Sequence, residues 1–249
     1  MASFVTRAEP TPDGRVAFDA AETRHLGRVL RLGPGDLVTA VDPSGRRWQV
    51  RLTELTARAA SGVVVADDGA ARESPLDLTL VQGVPKADKM DLVVRVATEL
   101  GAARIVPVLC ERTVIRPPAG GWSDRIARWQ RIAAEATKQC GRARVPDVAA
   151  PCALQAWLCE SAGSGLLVCL WEESASAFAD PLPPPPVRRA TLVVGPEGGL
   201  AAAEVDALRA AGAVVTGVGP RILRTETAGP VGLALLQARY GDLAGLPDV

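Results

Sequence analysis

The sequence predicts an α/β fold: a mostly parallel sheet domain preceded by a small β-rich, barrel-like domain. Three observations carry that expectation. From Leu76 onward, short apolar runs rich in β-branched residues alternate with helical patterns, the rhythm of βα units. Before that point the apolar runs are strand-like and separated by turn signals. Near the C-terminus, two glycine loops each join a strand-like run to a helical pattern, which brings bare backbone N–H groups to one edge of a sheet.

The small domain is expected over residues 1–72. Residues 15–18 and 36–41 read as strands. Asp42-Pro43-Ser44-Gly45 is a turn, and residues 46–52 alternate like the half-buried return strand of a hairpin. A short helix is expected over 20–30. The polar stretch 67–75 ends in proline and marks the boundary, which places the larger domain at 75–249. In that domain, strands are expected over 76–82, 104–110, 166–171, 191–194 and 213–218. Helices are expected over 88–100 with Gly101 closing the end, from Ser123 or Asp124 to Cys140, over 153–160, over 201–211, and from Thr225 or Thr227 to Tyr240. The prolines between 181 and 186 rule out helix or sheet interior and point to an extended surface loop.

Of 249 residues, 48% are hydrophobic, enough for a sizeable core and against general disorder. No apolar run approaches the ~18 residues of a membrane span. The N-terminus lacks the pattern of a signal peptide, so a cytoplasmic setting is expected. Five cysteines without a CxxC spacing argue against a disulfide framework. His25 is the only histidine, and nothing around it fits a metal site or a Ser-His-Asp arrangement, so no metal is expected. Net charge is zero, but residues 101–150 carry nine basic against four acidic side chains, a balance of +5. A local cationic patch can contact phosphates on a neutral chain.

The two loops are spelled Gly195-Pro196-Glu197-Gly198-Gly199-Leu200 and Gly217-Val218-Gly219-Pro220-Arg221-Ile222-Leu223-Arg224-Thr225-Glu226-Thr227-Ala228. Glycine and proline also punctuate αβ connections in any α/β protein. Together, however, two such turns can form one pocket for a nucleotide-like ligand. The spelling of the pair resembles the signature of the knotted SPOUT methyltransferases, and more narrowly that of the 16S ribosomal RNA uridine-N3 methyltransferases. The likeness extends to Glu22-Thr23-Arg24-His25-Leu26, residues 29–36, Glu111-Arg112-Thr113, and Arg128-Trp129 through Glu135, Gln139, Arg142 and Pro146. It implies S-adenosylmethionine as cofactor, a trefoil-knotted SPOUT-type domain behind a PUA-like one, a homodimer, and 16S rRNA of the small ribosomal subunit as substrate. The alternatives are a knotted enzyme acting on a ribose 2′-oxygen or a transfer RNA, and a catalytically silent assembly factor. A nicotinamide enzyme fits worst, since the first turn is not G-x-G-x-x-G.

For the donor, the expected cradle is the backbone of Gly195, Pro196, Glu197, Gly198, Gly199, Val218, Gly219, Ile222 and Leu223, with Thr227 near the end of the second loop and Leu170 as the resemblance suggests. For catalysis, Arg224 is expected to stabilise uracil oxygens as N3 gives up its proton. Glu226 or Glu197 is expected to orient Arg224 or accept that proton. For RNA, Arg128, Arg131, Gln139 and Arg142 share a stripe of one helix, extended by Arg112 and Arg116. Arg7, Arg24, Arg28 and Arg31 are the small-domain candidates, the last three with one-face helical spacing. Lys86 and Lys89 follow the first strand of the larger domain, at the end of a sheet where ligands collect. Residues 227–240 are the candidate dimer helix.

Overall fold

The computed structural model describes residues 3–70, 73–115, 121–161, 165–174, 176 and 178–243. The chain forms two compact units, Met1–Glu73 with Glu135–Val145, and Ser74–Ala134 with Pro146–Val249.

The first unit is built on a five-stranded sheet of order β1-β3-β4-β5-β2, with β1 at Ser3–Val5, β2 at Arg15–Ala17, β3 at Leu37–Val41, β4 at Arg46–Leu55 and β5 at Ala60–Ala70. β3 and β4 make the expected hairpin, with Val38 opposite Val50. Asp42 closes its turn: its carboxylate accepts from the N–H groups of Ser44 (2.9 Å) and Arg46 (3.0 Å) and from Trp48 Nε1 (2.8 Å). Burial pushes the Asp42 carboxyl up, and these hydrogen bonds overcome it and hold it below its ordinary value. Inward residues from all five strands and a helix, among them Phe4, Val16, Phe18, Leu26, Val50 and Leu52, fill the core.

The sequence reading lacks β1 and β5. β5 carries Gly62, Gly69 and two aspartates, all poor strand formers. Across the ladder, Asp67 and Asp68 meet Arg46 and Arg47 of β4, which offsets that deficit. The expected helix over 20–30 is also broken. α1 (Ala20–Arg24), capped by Asp19, gives way to a wider π-helical turn at His25–Val29, and Arg31 lies beyond it in the left-handed region at φ +56°. Arg24, Arg28 and Arg31 are exposed, but they do not share the single helical face expected of them.

The second unit is a seven-stranded sheet of order β12-β10-β11-β6-β7-β8, with β9 also pairing to β7, and every pair is parallel. Its elements in chain order are β6 (Asp77–Gly83), α2 (Lys89–Glu99), β7 (Arg104–Leu109), α3 (Ser123–Cys140), β8 (Asp147–Val148), β9 (Cys152–Ala153), α4 (Leu154–Ser161), β10 (Leu166–Leu170), β11 (Arg189–Val194), α5 (Ala202–Ala210), β12 (Val214–Thr216) and α6 (Thr225–Tyr240). The strands read as unbroken apolar runs because both faces are covered. Leu80 and Leu192 point into one core with Val93, Leu233 and Leu236. Their neighbours Val81 and Val193 point into the other with Val106, Val108 and Leu208. Pro107 sits inside β7 without breaking a ladder: β8 pairs only with residues 104–105 and β9 only with 108–109, so the missing N–H falls in the gap.

The proline segment is less free than expected. Leu182 is buried in the first of these cores. Tyr240 Oη donates to Pro183 O (2.6 Å), and Arg239 donates to Leu182 O (3.1 Å) and Pro183 O (3.2 Å). It is the expected surface loop, exposed apart from Leu182, and it is anchored as a strap through Leu182 and Pro183.

Candidate active site

Parallel strands put all their carboxyl ends on one side, and the connections leaving β10, β11 and β12 converge there. They enclose a cleft of about 410 Å³, within the size range of a nucleotide-like ligand. Of the expected donor residues, Leu170, Gly195, Pro196, Glu197, Gly199, Val218, Gly219, Ile222 and Leu223 line it, and so does Arg224. Gly198 does not: it faces away, its carbonyl accepting from Arg112 Nη1 at 3.0 Å. Thr227 is exposed on α6 and is also outside the lining, as is Glu226. The sequence reading missed Trp171, Glu172 and Ser174 after β10, and Arg221, Thr225 and Ala228. The rule that ligands collect at strand carboxyl ends applies to β10 as well as to β11 and β12, and would have found the first group.

The loop after β11 is clamped in place. Gly195 O accepts from Thr225 Oγ1 (2.6 Å) and from Gln82 Nε2 (3.4 Å), and Gln82 Nε2 also donates to Thr225 Oγ1 (2.8 Å). Gln82 is fully buried at the end of β6, so this network ties the first turn of α6 to the loop through the middle of the sheet. Gly83 lies directly beneath Pro196. A methyl group there would stand 2.5 Å from Pro196 N, so no side chain fits.

The charged groups pair differently from the expectation. Glu197 Oε1 accepts from the N–H of Lys86 (3.0 Å) and from Lys89 Nζ (3.1 Å), and the same ammonium lies 3.2 Å from Glu226 Oε2. Burial alone would raise the Glu197 carboxyl. Its backbone hydrogen bonds and Lys89 more than offset this and lower it. Lys89 is raised in turn by its hydrogen bonds to Glu197 and Glu226. Neither carboxylate orients Arg224, whose exposed guanidinium has no ion pair or hydrogen bond among the described residues.

Among the RNA candidates, Arg7, Arg131 and Gln139 are exposed. Arg128 is half exposed and meets Asp91 and, at 3.7 Å, Asp88. Arg142 departs from the expectation: it is 5% exposed and its guanidinium grips Glu73 at 2.8 Å, a packing contact rather than an open RNA-facing one. Arg116 lies outside the described residues. Among the described residues no cluster of His, Cys, Asp or Glu is placed to hold a metal ion, and no helix is long and apolar enough to cross a membrane.

A family model described as an RNA methyltransferase domain matches residues 72–237, and one described as an RNA methyltransferase PUA domain matches residues 18–65. The ribosomal RNA small subunit methyltransferase E of Bacillus subtilis is 33% identical over 213 residues, 83% of this chain and 83% of its own length. This chain belongs to that SPOUT family. The Mycobacterium tuberculosis relative of the same name is 31% identical over 239 residues, 94% of this chain and 90% of its own. The crystal structure of the Neisseria gonorrhoeae enzyme bound to S-adenosyl methionine superposes with a TM-score of 0.84 at 32% identity, covering 98% of this chain and 99% of that one.

Proposed function

We propose that this chain is an S-adenosylmethionine-dependent methyltransferase that acts, as a cytoplasmic homodimer, on N3 of a uridine in 16S rRNA of the small ribosomal subunit. The observation that carries the reading is the cleft between the two glycine loops, with an unpaired arginine on its lining. The residues present suit the cofactor. Leu170, Val218, Leu223 and Ala228 supply apolar walls for the faces of an adenine, and the backbone of both loops supplies its edge partners. At Gly219, with φ +104° and no atom within 4 Å of where a Cβ would stand, a ligand can approach the backbone closely. When bound, S-adenosylmethionine supplies an electrophilic methyl group on a sulfonium.

The rest is the work of this chain's own residues. As N3 loses its proton, charge develops on the two flanking uracil oxygens. The fork of Arg224 is suited to receive it, since its charge is not already neutralised. Glu197 is held ionised by Lys86 and Lys89, which makes it a weak proton acceptor and weighs against the base role expected of it. A trefoil knot belongs to the same reading: after β12 at the sheet edge, the chain returns past Gly195 to lay α6 against β11 and β6. The exposed cationic side chains of α3, Arg128 and Arg131, support contact with RNA phosphates.

The test is transfer of labelled methyl from S-adenosylmethionine to purified small subunits lacking the modification, with nucleoside mass spectrometry of the product. The expected product is 3-methyluridine. A 2′-O-methylated nucleoside, or no transfer, would overturn the reading.

A further inference from the structure

Building on that reading, we propose that Lys89 is a positioning residue for methyl transfer. By holding Glu197 and Glu226 on one ammonium, it keeps both carboxylates off Arg224 and leaves that guanidinium charged and available to an anionic uracil. Three segments distant in sequence meet at this ammonium: the start of α2, the loop after β11 and the first turn of α6.

Local rules are broken to build this junction. A lysine in the first turn of a helix has the wrong sign for the helix dipole, so its place is set by partners from outside the helix. Two residues earlier, Ala87 adopts φ +53°, a left-handed conformation unusual for alanine. That turn aims the Lys86 N–H and the Lys89 ammonium at the same oxygen of Glu197. Strain of this kind gathers where a geometry is needed for function.

The neighbouring charges leave Lys89 to these two partners. Asp88 and Asp91, the acids on its own segment, are met by Arg128. Glu172, on the far wall of the cleft, lies against Gly199. Two carboxylates share one ammonium, so the trio carries a single net negative charge. Without Lys89 they would repel each other in a cleft whose lining holds two arginines without an ion pair among the described residues, Arg221 and Arg224, and Arg224 is only two residues from Glu226. The guanidinium would then be neutralised before substrate arrives.

The test compares wild type, Lys89→Met, Lys89→Arg and the double variant Lys89→Met/Glu226→Gln on unmodified small subunits, with donor affinity measured by calorimetry. Wild-type formation of 3-methyluridine checks the underlying reading separately. Lys89→Met is expected to lower kcat at least about tenfold with donor Kd within about threefold, and Lys89→Arg to recover most of it. Removing one carboxylate in the double variant is expected to restore part of kcat. A wild-type kcat in Lys89→Met, no recovery in either Lys89→Arg or the double variant, or loss of donor binding in step with kcat would overturn the proposal while leaving the methyltransferase reading intact.

Discussion

The two glycine loops close the same cleft on opposite physical terms. The loop after β11 is fastened before any ligand arrives. Its Gly195 carbonyl takes hydrogen bonds from Thr225 and Gln82, its Gly198 carbonyl takes one from Arg112, and Glu197 is held by Lys86 and Lys89. Gly83 presses on it from below. The loop after β12 is open. Gly217 N–H donates to Ser176 O at 3.1 Å, but residues 218–223 make no hydrogen bond among the described residues, and Ile222 is 82% exposed. One wall is therefore preorganised, and the other has its ordering entropy still to lose when ligand binds. Arg224 stands at the junction of the open loop with α6.

The largest effect expected from this contrast is on chemistry. Arg224→Ala should lower kcat by roughly 10²- to 10³-fold, the usual cost of removing a donor aimed at developing charge. Single-turnover kinetics with calorimetry should find donor affinity close to that of wild type. Next comes the fastened loop. Gly83→Ala should destabilise by about 1–3 kcal/mol through overpacking, a fall in Tm of roughly 3–10 °C for a chain of this size. Thermal melts should show a smaller loss for Gly219→Ala, where a methyl group meets nothing and only the positive φ is strained.

A third measurement separates the loops by pH. Because the Glu197 carboxyl is lowered from its ordinary 4.5, its contribution is fully present above that value and is lost as pH falls through the depressed one. The stability gap between wild type and Glu197→Gln should hold steady at neutral pH and close on acidification, as urea titrations at several pH values would show. Ile222→Ser should have the smallest effect: no measurable change in Tm, since the side chain is already in water, and a donor affinity weakened by roughly fivefold if the loop folds over the ligand.

These loops were also the most legible part of the sequence. Glycine, proline and a β-branched run before each of them are local signals, and local signals place a strand, a turn and a helix start. The parallel sheet was legible for the same reason: apolar runs such as 76–82 and 191–194 are continuous because both faces are buried. What could not be read is pairing at a distance. Lys89 was visible as a lysine at a strand end. That it, rather than Arg224, takes both Glu197 and Glu226 depends on residues more than a hundred positions away. Arg142 fails in the same manner. Its helical spacing matches that of Arg128 and Arg131, but Glu73 draws it into the interior. β5 was illegible because its glycines and aspartates argue against a strand until the arginines of β4 are placed beside it.

The strap of prolines bears on the order in which the molecule is made. Arg239 and Tyr240, at the end of α6, are the residues that fasten Leu182 and Pro183. The same helix begins with Thr225, which locks the loop at Gly195. A growing chain that has already emerged through β11 therefore holds a strap without its fastener and a first wall without its bolt. Both arrive with α6, so the cleft is completed only once that helix has been made, and a chain cut short before it has neither.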